Sequence, residues 1–443
     1  MSEISENFPD RVTPYITLDE LNQPVSVIQG PFRLVGSSEG TLDANLAFRW
    51  LPSTAIAFEG TYSCPDLRLE TEPWFLETEG EMNFRVPVII THVSLGPESS
   101  HVRGIVQEVL DIGAAPFDML RFSLANFPEY IGSPVRYQSD DYQSLIRTRL
   151  EAIASHGRFR LDVIPEASEL RKSASRDAGF VISHVGEWFP LSGRMTIAEA
   201  EAALAMLHFW FGLLRGAWAG PLFPQGLVQG NVVWRQFASW RLSETREVAS
   251  WMPQRKPLDL SDLFSGFVQR WNDPTWRGPL RSSISWLVEA NSSRTALESK
   301  IVLSHVALDL LAWVHLVETQ RLHSRSDFKR LSAAGRIRVL LDHIRIPAMI
   351  PDYLTHLPTL NQGDAFDGPG VITRVRNALV HATEDNRAVI ESLDGLHLLE
   401  CSQLALQYLE LALLAVCGHS GHYARRGWRG WKGDDEILVP WAA

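Results

Sequence analysis

The stretch Gly368-Pro369-Gly370-Val371-Ile372-Thr373-Arg374-Val375-Arg376-Asn377-Ala378-Leu379-Val380-His381 decides how the second half of the chain is read. Gly-Pro-Gly breaks whatever precedes it. Residues 371–381 contain neither Gly nor Pro and read as the opening turns of a helix. On a regular helix Arg374, Asn377 and His381 share one face. Arg376, five residues before His381, falls about 140° away at roughly 100° per residue. Both arginines are expected near the helix N-terminus, where unpaired N–H groups favour anions. His381 suits proton transfer near neutral pH. Together these side chains can hold a phosphate and move a proton. Spacing alone fits surface arginines and a packed histidine equally well.

Outward from this stretch the chain reads as helical from about residue 258. Leu258 to Trp271, Pro279 to Ala290, Ser293 to Gln320, Asp327 to Arg345, Val371 to Thr383 and Asn386 to Cys417 show helical apolar spacing. The spans 293–320 and 386–417 are long enough for an antiparallel pair roughly 40 Å in length at 1.5 Å per residue. A bundle of four or five helices follows. Between Arg321 and Arg345, seven Arg and Lys residues stand against two acidic ones, a basic island in a chain of net charge −11. Arg336 and Arg338 within it are candidate ligands for RNA phosphates. The tail at Arg425, Arg426, Trp428, Arg429, Trp431 and Lys432 alternates cations with aromatic rings, a pattern that can stack on bases.

Arg376-Asn377-Ala378-Leu379-Val380-His381 resembles the R-N-x-x-x-H signature of the HEPN superfamily, a helical bundle common in prokaryotic defence and toxin ribonucleases. The resemblance covers roughly 280 to 420, with a long helix before the motif and a long apolar one after it. The N-terminal half is similar to the β-rich, sensor-like regions of larger HEPN proteins of the ApeA type. The resemblance implies a metal-independent ribonuclease whose motifs meet across a dimer, with no cofactor. His381 would deprotonate a ribose 2′-OH or protonate the leaving oxygen. Arg376 would hold the scissile phosphate, Asn377 would orient His381 or the phosphate, and Arg374 would be a second phosphate ligand. An acidic residue on the preceding helix would support the site, with Asp309 the first candidate and Glu298 the second. The same module without catalysis would bind RNA or a protein partner and mediate oligomerisation.

Residues 1 to about 190 look β-rich. Phe32–Val35, Ala44–Trp50, Ala55–Phe58 and Phe84–Ile90 are runs of β-formers between Gly, Ser, Pro and Asp clusters, and Phe159–Ile164 and Phe180–Val185 resume the pattern. An antiparallel sandwich or open barrel is expected. Asp140 to His156 reads as one helix inserted among the strands. The acidic stretch Asp66 to Glu81 reads as a solvated loop. Thr196 to Ala217 reads as a long buried helix, with Glu199 completing a capping box and His208 a packed core histidine. Trp218 to Gly226 reads as a loop, Val232–Arg235 and Ala238–Leu242 as strands. The polar segment Pro253 to Pro257 is the expected boundary. The fold class is therefore α+β: a β-rich regulatory or sensor domain over 1–255, then an all-α HEPN-type bundle over 256–443.

The composition is that of a globular protein, 45% hydrophobic and 21% charged, with 15 tryptophans that favour large buried aromatic contacts. Overall acidity argues against non-specific coating of nucleic acid. Three cysteines, Cys64, Cys401 and Cys417, cannot make a disulfide framework and suit a reducing compartment. The N-terminus lacks the basic start and apolar run of a signal peptide. The longest apolar run, Ala202 to Leu214, is 13 residues against the roughly 20 of a bilayer span. No P-loop, dinucleotide, zinc-protease or nucleophile-elbow pattern is present, and Cys417, His419 and His422 form one short cluster without a partner pair. The expectation is a cytoplasmic RNA-cleaving toxin in antiphage defence, dimeric or higher, without a membrane segment, released by a phage-derived or small-molecule activator.

Overall fold

The computed structural model describes residues 8–63, 73–78, 84–96, 99–138, 143–245, 248–360, 366–381, 383–428, 430–431 and 433–442. The fold is α+β, with a β-rich N-terminal part and a helical C-terminal part. Six antiparallel strands close a barrel in the order β1 (Val25–Val35), β2 (Glu39–Arg49), β3 (Ala55–Ser63), β6 (Ser100–Val106), β5 (Phe84–Ser94), β4 (Trp74–Thr78). Period-two alternation fills its interior with Phe32, Leu34, Leu42, Leu46, Phe58, Leu76 and Val102. Gly60 is required where β3 crosses β2, since a Cβ there would stand 2.1 Å from the Asp43 carbonyl oxygen. The strand β4 lies within the acidic stretch expected to be a loop, while 66–72 and 79–81 fall outside the described residues.

A second, eight-stranded antiparallel sheet follows. Its order is β7 (Leu110–Gly113), β14 (Asn231–Phe237), β13 (Leu222–Val228), β8 (Met119–Ala125), β12 (Ile182–Pro190), β11 (Gly157–Val163), β10 (Gln143–Ala154), β9 (Ser133–Gln138). Three local expectations are corrected here. Residues 143–154, expected to be helical, are strand β10, because Leu150, Ala152 and Ala154 bury one face at period two and the backbone pairs on both sides. The expected loop at 218–226 contains β13 from Leu222, paired with β8 and β14. Ala238 to Leu242 is not a strand. The helix α1 (Ser168–Asp177) lies between β11 and β12.

The helix α2 (Ile197–Arg215) begins as its sequence predicts. Thr196 accepts from the Glu199 amide and Glu199 accepts from the Thr196 amide, a reciprocal capping box. Leu120, Phe122 and Leu124 of β8 join the core that α2 fills, where Phe211 meets Phe122 and Trp210 meets Phe264. That core continues unbroken into the helices α3 (Ser261–Asn272), α4 (Pro274–Asn291), α5 (Leu297–Trp313), α6 (Arg325–Arg330), α7 (Ala333–His343), α8 (Gly368–Val380) and α10 (Gly395–Val416), while α9 (Glu384–Ser392) buries no residue. A short strand pair, β15 (His422–Ala424) with β16 (Glu436–Leu438), closes the chain.

Three expected long helices are interrupted. The span 293–320 is α5 followed by a widened π turn at Val314–Thr319, where Thr319 Oγ1 donates to the Val314 carbonyl and accepts from Trp276 Nε1. The span 327–345 splits at Ser332, whose hydroxyl accepts from the Gly335 amide and starts α7. The span 386–417 splits at Asp394, whose carboxylate takes the amides of Leu396 and His397. By length and composition α2, the 297–319 segment and α10 could each cross a membrane, yet most of each is buried against protein.

The segment 248–257 is a strap whose middle, Trp251 to Pro253, is buried, while the rest of the expected polar linker Pro253 to Pro257 is exposed or half-buried. Trp251 and Met252 are almost fully enclosed. Arg426 and Glu410 form a buried pair with two contacts of 2.6 Å, and Arg426 also donates to Asn291 Oδ1 and the Ala249 carbonyl. Glu410 accepts further from the Trp251 amide. Removing one partner leaves a buried charge uncompensated. Arg426→Ala is therefore expected to destabilise the fold by about 3–5 kcal/mol in urea unfolding, and Arg426→Met with Glu410→Met by much less than the sum of the single changes.

Candidate active site

The motif helix α8 is set at its start by three local devices. Asp367 is its N-cap and accepts from the Gly370 amide. Pro369 sits in the first turn, where its missing N–H costs nothing. Gly368 lies so close to α10 that a Cβ would stand 2.1 Å from Tyr408 Oη. Arg338 of α7 grips Asp367 with contacts of 2.6 and 2.9 Å, so this arginine anchors the helix start. Desolvation opposes ionisation of the Asp367 carboxyl, but Arg338 and the Gly370 amide outweigh it and hold it below its usual range.

The helix ends earlier than its sequence suggests, and this corrects the expected geometry. It runs Gly368–Val380, and His381 is the C-cap in an extended conformation (φ −116°, ψ 115°). Asn386 of α9 enforces the exit, its side-chain amide donating to the carbonyls of His381 (2.8 Å) and Asn377 (3.3 Å). Arg374 and Arg376 thus lie in the middle and late turns, and the helix N-terminus contributes nothing to an anion site beside them. Positive charge there complements the C-terminal end of the helix dipole instead.

Leaving the helix also dissolves the 140° separation. Arg376 Nη1 donates to Asn377 Oδ1 at 3.0 Å and lies 3.5 Å from His381 Nε2. The three motif side chains form one cluster, with His381 exposed and Arg376 and Asn377 half-buried. Arg376 Nε is shielded from solvent and has no hydrogen-bond partner among the described residues. Arg374 diverges from this cluster and donates to the Leu360 carbonyl.

Behind the cluster lies α5. His305 Nε2 shares a hydrogen bond of 3.3 Å with Thr373 Oγ1, and Thr373 stands three and four residues before Arg376 and Asn377 on α8. Asp309, one turn beyond His305, is held by Arg336 Nη1 at 3.2 Å to both carboxylate oxygens. Arg376, Asp309 and Arg336 all act electrostatically on His305. Glu298 is exposed in the first turn of α5. His305 and Asn386 are the two residues that sequence reasoning missed. Asn386 lay inside a span read as continuous helix, and His305 looked like one more residue of an apolar one.

The basic island is divided by its contacts. Arg336 and Arg338 are committed to Asp309 and Asp367, whereas Arg321, Arg325, Lys329, Arg330 and Arg345 are exposed. The tail reading is corrected at Arg426, which is buried in its pair with Glu410 and cannot reach RNA. Arg425 lies 4.0 Å over the Trp428 ring, Trp431 is exposed, and Arg429 and Lys432 fall outside the described residues. His419 Nε2 donates to the His422 carbonyl, and burial pushes the Cys417 thiol up to about 12, so both serve packing. Cys401 is likewise buried, and Cys64 falls outside the described residues. Among the described residues no group of three or more His, Cys, Asp or Glu side chains is placed to hold a metal.

The chain's sequence is similar to YopA along most of its length. Residues 113–248 match the YopA central domain, which takes in most of the eight-stranded sheet and α2. Residues 273–436 match the YopA C-terminal domain, which contains every residue of the cluster just described. The SPbeta prophage-derived uncharacterized protein YopA of Bacillus subtilis (strain 168) is 24% identical over 415 residues, covering 90% of this chain and 91% of that protein. No solved structure matches the chain.

Burial, helped by the neighbouring Arg376 guanidinium, pulls the His305 imidazole down to about 4. Unfolded, the ring titrates near its ordinary value of 6.5. Between these values the unfolded chain takes up a proton that the folded chain refuses, so stability falls as pH drops from 6.5 toward 4. The loss from this one group approaches about 3 kcal/mol. Burial lowers His208 and His315 to about 4 as well, with the same sign. His305→Leu should therefore flatten, without abolishing, the slope of unfolding free energy against pH across this window.

Proposed function

We propose that this chain is a metal-independent endoribonuclease of HEPN type. The observation that carries the reading is the convergence of Arg376, Asn377 and His381 where α8 ends, with an exposed imidazole 3.5 Å from a guanidinium. A guanidinium stabilises charge developing on a phosphate, and an imidazole beside it transfers protons. In the proposed reaction a ribose 2′-oxygen attacks the adjacent phosphorus while its proton passes to a histidine. The P–O5′ bond breaks, and a second histidine protonates the leaving oxygen. The products are a cyclic phosphate and a 5′-hydroxyl, and no cofactor takes part.

One His381 per protomer supplies one of these two proton-transfer groups, so the mechanism calls for a homodimer or higher oligomer. Asp309 fixes Arg336 and, with Arg376, sets the charge around His305, which suits a supporting role. Arg374 and Arg338 serve the architecture more than the substrate. The exposed cations from Arg321 to Arg345 are the better candidates for steering RNA. The prophage origin in the relative's name accords with a regulated toxin of antiphage defence, set off by a phage-derived or small-molecule activator. Burial of the three apolar helices against protein accords with a cytoplasmic location and no membrane contact.

The test is incubation of the purified chain with total RNA in EDTA. Wild type should yield fragments with cyclic phosphate and 5′-hydroxyl ends, and His381→Ala and Arg376→Ala should each lower the rate by about 10²–10⁴. Cleavage that both variants retain, or fragments with 5′-phosphate ends, would sink the proposal. Intact RNA with the wild type, alone and with infected-cell extract as activator, would favour a non-catalytic module that binds RNA or a protein.

A further inference from the structure

A cavity of about 400 Å³ lies where the eight-stranded sheet, α1 and the strap meet, lined in part by Phe127, Arg171, Lys172, Arg215 and Met252. Among the described residues, three cations line it against one carboxylate, Glu129, in a chain of net charge −11. The most telling of them is Arg215, at the end of α2 and only 5% exposed. Its guanidinium donates to the carbonyls of Trp218, Ser243 and Glu244, and no carboxylate pairs with it among the described residues. A buried cation held only by neutral carbonyls is costly unless an anion completes it. Burial accordingly pulls it down to about 10. Arg171 is held at 2.5 Å by Glu129, whose side chain is 66% exposed and so is a partner a ligand can displace.

We propose that this cavity binds a small organic phosphate of nucleotide size, with Arg171, Lys172 and Arg215 facing the phosphate and Phe127 and Met252 the apolar part of the ligand. The volume lies within the usual range for small-molecule sites. The far wall of the cavity gives the ligand a consequence. Ser250, Met252 and Gln254 belong to the strap, whose Trp251 amide donates to Glu410 of α10 and whose Gln254 amide donates to Glu436. An occupant therefore rests on the segment that ties the sheet to the helices, and it acts as an effector without touching the Arg376–His381 cluster.

Calorimetry on the full chain, without RNA, tests this independently of any nuclease activity. The probes are ATP, adenosine 5′-monophosphate, inorganic phosphate and uncharged adenosine. The nucleotides should bind, adenosine should bind at least tenfold more weakly, and phosphate should compete. Arg171→Gln should weaken nucleotide binding at least tenfold and leaves Glu129 in solvent, so the fold is retained. Glu129→Gln removes the only carboxylate among the described lining residues and should tighten binding at least twofold, a gain that a merely destabilising change does not produce. Bound nucleotide should also slow hydrogen exchange at Trp251 and Gln254. Absence of binding by every phosphate-bearing probe at millimolar concentration, equal binding of adenosine, or unchanged affinity in Arg171→Gln would each overturn the proposal. His381→Ala should bind the nucleotides as wild type does.

Discussion

The buried pair between Arg426 and Glu410 is the constraint on which the rest of the molecule depends. Two charges withdrawn from water are tolerable only when nearly every donor and acceptor is used. Here they are: Arg426 reaches Glu410, Asn291 and the Ala249 carbonyl, and Glu410 also takes the Trp251 amide. Asn291 in turn donates to the carbonyls of Gly216 and Ala249. The end of α2, the strap, the end of α4, the middle of α10 and the tail are thereby locked in one arrangement. A network of this kind tolerates no partial occupancy, so the strap cannot detach from α10 while the pair remains intact.

That rigidity extends to the motif. The helix α10 packs on α5 and α8, and Tyr408 presses against Gly368 at the start of α8. Arg338 fixes the same end through Asp367. With its start clamped, the geometry of α8 is decided by where it stops, and Asn386 stops it by capping two late carbonyls. Had the helix continued one turn, His381 would have pointed away from Arg376. A single side-chain amide therefore converts a helical spacing that separates two groups into a corner that joins them.

Much of the fold was legible because its signals are local. The Thr196–Glu199 capping box, the apolar spacing of α3, α5 and α10, and the strand runs of the barrel each declare themselves within a few residues. Residues 143–154 misled because their composition suits a helix, while neighbours on either side in the sheet impose period two. Asp394-Gly395 and Ser332 are ordinary helix starts that sit inside apolar patterns regular enough to read through them. The cluster was legible as residues and not as geometry. Thr373 meets His305 from 68 positions away and Asn291 meets Arg426 from 135, and nothing in a local pattern records such pairings.

The division between strands and helices in sequence is also a division of labour, although the core does not respect it. The sheet and α2 share one apolar interior with the helices, so displacement of the strap is opposed by Trp251 and Met252 as well as by hydrogen bonds. Coupling between two regions needs an element with two arrangements that both regions bias. The strap faces a cavity on one side and carries its polar contacts to α10 and the tail on the other. Its apolar residues hold it in the core, and its polar ones carry its contacts to α10 and the tail. A ligand that neutralises Arg215 alters the electrostatics at the end of α2, one residue before the Gly216 carbonyl that Asn291 holds. From the Gly216 carbonyl to the Arg426 pair the path is two hydrogen bonds long, through Asn291.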